Sequence, residues 1–190
     1  MKKLLGILVL VLLLITPSQA DDILDLQIER FSIGDSLLDH FSESTLEKNK
    51  NKDNYPKSDK YYDISIVKKV TEYDGMKFTV KTGDKKYILV SIEGRLHFEE
   101  TSKCKKKKKK IVNEISSSLA INKRNDYEFE YPQYIKSKAI ITDLSVNGGY
   151  IRVWCDDYSK ETIEQMGFIK SLAVEISTDS FIKWLKEEAY

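Results

Sequence analysis

Residues 101–121 read as one long helix set between two groups of short alternating segments, and that order narrows the fold more than any other feature of the chain. Cys104, Ile111, Ile115 and Leu119 fall on a single stripe of this helix. Ahead of it, Tyr62, Ile64 and Ile66 alternate within 61–70, and Met76, Phe78 and Val80 within 76–82. An apolar-rich run then covers 87–98, interrupted at Gly94. Behind the helix, 138–146 alternates weakly, 150–156 sets Ile151, Val153 and Cys155 in phase, and 170–177 does so with Leu172, Val174 and Ile176. A period of two marks a strand with one buried face. Asp74-Gly75, Gly83-Asp84 and Asn147-Gly148-Gly149 are hairpin signals. Asp35 or Ser36 would cap a short helix carrying Leu37, Leu38 and Phe41, and Ser42 a further turn through Leu46. Thr178 or Asp179 would cap a last helix carrying Phe181, Trp184 and Leu185. The expected class is α+β: an antiparallel sheet with helices packed on one side, in the order α-βββ-α-βββ-α. Residues 61–121 and 138–190 read as two βββα halves of one domain. Residues 47–60, polar and holding Pro56, read as a mobile loop, 122–137 as a polar connection through Tyr131-Pro132, and 159–167 as a short helix or loop.

The N-terminus reads as an export signal. Lys2 and Lys3 precede an uncharged apolar run, Leu4 to Thr16, which is too short for the ~20 residues a membrane helix needs. Pro17 ends it, and Ser18 and Ala20 are the small residues a signal peptidase favours. Residues 1–20 are thus expected to be removed, leaving 21–190 as a single domain in the periplasm or beyond, with no stable membrane insertion. The whole chain has 31 Lys and Arg against 30 Asp and Glu. That balance argues against a nucleic-acid partner, which calls for a basic excess.

An oxidising compartment bears directly on the only two cysteines, Cys104 and Cys155. The helix stripe turns one sulfur toward the core and the strand phase turns the other. Both therefore point inward, and a disulfide is expected. With no C-x-x-C motif, a redox role is not.

Candidate chemistry is sparse. His97 and Glu99 share one face of a strand end, the placement that a general base and its carboxylate partner require, but no nucleophile motif accompanies them. Metal binding by His97, Glu99 and Glu100 is disfavoured because neighbouring strand residues alternate faces. The same argument separates Asp156 from Asp157, adjacent carboxylates that otherwise suit a cation. Lys105–Lys110 form an unbroken basic run that would attract anionic lipid. Six residues on a helix face every direction, however, so those near 107 and 108 must snorkel along the buried side.

The segments SIGDSLLDHFSES, SIEGRLHFEE followed by Lys103-Cys104, VWCDDYSKE and EISTDSFIKWLKEEAY resemble those of a family of small exported proteins from marine alphaproteobacteria with no assigned activity. The resemblance covers most of the chain after residue 20. It implies an architecture: paired Cys104 and Cys155, and a C-terminal helix carrying Phe181, Trp184 and Leu185.

The expected function is that of a soluble, non-catalytic periplasmic protein binding a small ligand or another envelope protein, with no catalytic residue, metal or cofactor. Two alternatives are a hydrolase using His97 and nearby carboxylates, and a protein held on anionic lipid by Lys105–Lys110.

Overall fold

The computed structural model describes residues 22–67 and 72–190. The expected signal segment and the last residues of the 61–70 run lie outside them. Beyond a 3-10 turn at Ile23–Asp25, a two-stranded ribbon pairs β1 (Gln27–Ile28) with β2 (Phe31–Ser32), burying Ile28 and Phe31. A second 3-10 turn, Leu37–Asp39, is capped by the Ser36 hydroxyl and leads to α1 (Glu43–Lys48), capped by Ser42. Leu37 is buried there, whereas Leu38 points outward.

Eight strands follow: β3 (Lys50–Asn51), β4 (Tyr61–Ile66), β5 (Gly75–Lys81), β6 (Leu89–His97), β7 (Lys123–Glu130), β8 (Lys138–Val146), β9 (Gly149–Asp157) and β10 (Ser171–Thr178). They form one antiparallel sheet in the order β3-β4-β5-β6-β10-β9-β8-β7. The fold is α+β, as expected. Two meanders, β4-β5-β6 and β8-β9-β10, meet where β10 pairs with β6. The turn between β8 and β9 places Gly148 at φ +73°, a left-handed conformation that glycine adopts without strain. Gly94, the interruption in β6, lies directly under the Tyr73 ring, where a Cβ would come within 2.7 Å of a ring carbon.

α2 (Thr101–Ser118) crosses one face of the sheet. The in-phase residues predicted for β4, β5, β9 and β10 all line this face and form the main core, together with Phe31, Leu37 and Leu144. On α2 the buried line is Cys104, Lys108 and Val112, with Ile111 and Ile115 packed beside it. Cys104 and Cys155 are disulfide-bonded, with their Cα atoms 6.1 Å apart. The bond pins α2 to β9.

α3 (Lys160–Met166) fills the connection to β10, capped by Ser159. α4 (Asp179–Glu187), capped by Thr178, tucks against the opposite face. There Phe181 and Trp184 meet Tyr55 and Tyr61 edge-on, with ring centroids 4.7–6.3 Å apart, in a second small core. Residues 47–60 are therefore structured. Asn54 and Tyr55 both donate to the buried Asp63 carboxylate, at 2.6 and 2.9 Å, and Tyr55 is part of the core. Asp63 supplies the buried acceptor that fixes this polar segment.

The helices are expected on one side of the sheet, but α4 lies on the face opposite α2. β7 is a further departure from the sequence reading. Seven of its eight residues are exposed, so it has no buried stripe to betray it, yet it pairs with β8 along its full length. It is a charged outer strand, the usual protection of a sheet edge against unwanted pairing.

Candidate functional site

Strand alternation sends one set of side chains to the face not covered by α2. Reading across that face from β5, these are Lys77; Glu93 and Arg95; Ala173 and Glu175; Arg152, Trp154 and Asp156; Ala139 and Ile141; then Tyr127 and Phe129. α4 covers only the end of this face near Tyr61. The remainder is a hollow of about 530 Å3, closed at one rim by Tyr131 and Tyr158. That volume lies within the ~300–1,000 Å3 usual for small-ligand sites.

The hollow has two halves. In the apolar half, Ala139 and Ile141 of β8 form a shelf. Trp154 stands opposite Ile141 on one side, and Tyr127 and Phe129 stand opposite Ile141 and Ala139 on the other. Small residues at 139 and 173 give it depth. Tyr131 stacks on Tyr158 at 5.7 Å, Tyr134 packs edge-on against both, and Phe168 lies edge-on to Tyr134 and tilted against Tyr158.

The charged half is an ordered network. Glu93 accepts from Arg95 at 2.7 Å through one oxygen and pairs with Lys77 at 2.6 Å through the other. Burial alone would raise the Glu93 carboxyl, but Lys77 and Arg95 outweigh it and bring it down to about 2. Arg95 reaches on to Asp156 at 2.7 Å and lies 5.5 Å from the Trp154 ring centroid. Asp156 is buried and further accepts from Tyr131 OH, the Trp154 indole N–H at 3.1 Å and Ser171 Oγ at 3.0 Å. Arg152 binds Asp143 through Nε at 2.8 Å, and Nη2 reaches Asp143, Tyr127 and Tyr150. Glu175 accepts at 3.1 Å from both Ser91 and Ser177 through one oxygen. Burial raises its pKa, neighbouring Lys77 opposes that shift and Glu93 adds to it.

No family model, curated protein or solved structure matches this chain.

The residues singled out from the sequence are scattered. His97 sits at the end of β6 with its ring 3.7 Å from Asp74, and its carboxylate neighbour is Asp74 in place of Glu99. Ser171 lies directly across from His97, but its hydroxyl is buried and bonded to Asp156 and Arg95. Among the described residues no hydrogen bond joins it to His97. Asp156 and Asp157 point to opposite faces, as strand alternation requires: Asp157 binds Thr101 Oγ1 and Lys170 Nζ, the latter at 2.9 Å. Of the lysine run, Lys108 is buried and Lys107 half-buried, as the helix geometry predicts. The Lys108 amine donates to Thr142 Oγ1, which in turn donates to Asp126, and this ties α2 to β7. Burial lowers the Lys108 pKa. Among the described residues no cluster of His, Cys, Asp and Glu suits a metal ion.

Most of the hollow escaped sequence reasoning. Its signal was present in Tyr127, Phe129 and Tyr131, aromatics at a period of two inside a charged run, and in Tyr150, Arg152 and Trp154 alternating against the core residues of β9. Each set marks a strand face that is neither core nor plain solvent surface.

Proposed function

We propose that this chain is an exported, non-catalytic binding protein of the cell envelope, which holds a small ligand against the open face of its sheet. The observation that carries the reading is the hollow itself, with aromatic walls over an apolar shelf beside a fixed charged floor. A concave site with few, well-anchored polar groups is the usual form of a small-ligand pocket. The Cys104–Cys155 disulfide agrees with an oxidising compartment, and the sequence of residues 1–20 with export to one. Among the described residues no helix is long and apolar enough to cross a membrane. A small ligand is favoured over a protein partner because the recess within the sheet face joins apolar walls to anchored polar groups at a small-ligand volume. The hydrolase alternative is disfavoured because His97 lies at the exposed end of β6 beside Asp74 in place of Glu99, and Asp156 and Asp157 are engaged by other groups on opposite faces. Attachment to anionic lipid is disfavoured because the lysine run turns Lys108 inward and pairs Lys110 with Glu114.

The test is a thermal-shift survey of the wild type and Trp154→Ala against a panel of small organic molecules. A ligand at 100 times its dissociation constant adds about 2.7 kcal/mol to the stability of the folded state. Some compounds should raise the wild-type melting temperature and leave that of Trp154→Ala unchanged. A panel that shifts neither protein, or both equally, would refute the reading.

A further inference from the structure

The hydrogen-bonding capacity left over in the hollow has a definite sign. Glu93, Asp156 and Asp143 each accept on both oxygens from groups of the protein itself. Their capacity for a ligand's donors is largely spent. The cations are not spent. Lys77 has three N–H donors and one carboxylate partner, and the Nη1 group of Arg152 makes no hydrogen bond among the described residues. Both line the hollow, with about a third of each side chain exposed. The remaining carboxyl, Glu175, lies next to Arg152 on one side and Glu93 on the other, facing Lys77. Its burial raises its pKa, which weakens its opposition to an anion beside Arg152. Beside these donors the apolar half is a slot, with Trp154 on one wall and Tyr127 and Phe129 on the other. Aromatic walls across an apolar shelf favour a flat ring system.

We infer that the hollow takes a flat organic anion, its ring system lying in the slot between Trp154 and the β7 aromatics and its carboxylate or equivalent oxyanion on the free Nη1 edge of Arg152. This rests on the binding reading above and adds the class of ligand. Charge-assisted bonds of this kind distinguish an anion from its neutral isostere by about 10-fold or more.

The experiment uses three probes of one shape: 2-naphthoate, 2-naphthalenemethanol and (2-naphthylmethyl)trimethylammonium. The chain has two tryptophans, so its proton–nitrogen NMR spectrum shows two indole signals, which Trp184→Phe assigns. Trp154 reports on the slot, and Trp184, bonded to Ser58 beneath α4, serves as the internal control. 2-Naphthoate should move the Trp154 signal at concentrations about 10-fold below those needed for the alcohol, with the cation weakest. Arg152→Gln should narrow that gap. Equal affinity for all three probes, or a preference for the cation, would overturn the anion inference and leave small-ligand binding standing. A Trp154 signal unmoved by every probe would overturn both.

Discussion

Glu93 and Glu175 are neighbours across β6 and β10 in one polar network, yet the fold treats their charges in opposite ways. Glu93 is held down to about 2 because Lys77 and Arg95 outweigh its burial, so its ionised form belongs to the folded state. The stability it contributes is complete above the ordinary carboxyl value of ~4.3 and is lost as pH falls toward about 2. Glu175 is raised chiefly by burial, so its contribution is present below the ordinary value and is lost as pH rises through the raised one. Urea denaturation of two variants separates them. At pH 7, Glu93→Gln should cost about 1–3 kcal/mol, discounted for the partial exposure of its two cations, and Glu175→Gln should cost nothing or stabilise slightly. An equal loss from both would show that the network does not discriminate between them. The same sign reaches binding. An anion on Arg152 is opposed by an ionised Glu175 beside it, so 2-naphthoate should bind more tightly as pH falls through the raised Glu175 value. Glu175→Gln should flatten that profile in the NMR titration.

At the scale of elements, what was legible in the sequence is what the core pays attention to. Strands β4, β5, β9 and β10 and helices α2 and α4 each bury a periodic stripe, so their type, their phase and the inward sulfurs could be read directly. The stripe on α2 differs in detail, because Lys108 sits between Cys104 and Val112 and its amine finds Thr142, a partner no local pattern could announce. Strand β7 and the structured 47–60 segment were missed for a related reason. Both are polar and held by distant partners: Asp126 by Thr142 and, through it, α2, and Asn54 and Tyr55 by Asp63. The hollow combines these two cases, since its β7 wall belongs to an unread strand and its floor to the second face of strands read only for their core. The disulfide is the element-scale link that both readings share, joining α2 to β9 behind the floor of the hollow. Removing it with Cys104→Ala and Cys155→Ala together should lower stability by about 2–5 kcal/mol, measured by chemical denaturation of oxidised wild type and variant. A loss below about 1 kcal/mol would mean that packing alone holds α2 in place.

At the scale of the whole molecule, Asp22 and Ile23 tie the segment ahead of β1 to the turn between β8 and β9. The Asp22 side chain caps the first 3-10 turn and accepts from Asn147 at 3.2 Å, while the Ile23 N–H donates to the Asn147 carbonyl at 3.0 Å. Ile23 is buried against Gly149, where a Cβ on the glycine would come within 2.8 Å of it. A cut after Ala20 leaves every one of these contacts in place, whereas a cut only three residues further on would remove Asp22 and Ile23 and expose the β8–β9 turn. These contacts are compatible with the cleavage after Ala20 that the sequence of residues 1–20 predicts. The full-length chain expressed in a bacterium with an oxidising periplasm should therefore be recovered there. Intact-mass measurement should find it beginning at Asp21 and lighter than the free-thiol form by the two hydrogens lost to the Cys104–Cys155 bond. The same chain begun at Asp21 and made in a reducing cytoplasm should carry both thiols free and melt at a lower temperature until it is oxidised. Recovery of full-length protein with Met1 intact on membranes would refute the export reading, and two free thiols in periplasmic protein would refute its link to the fold.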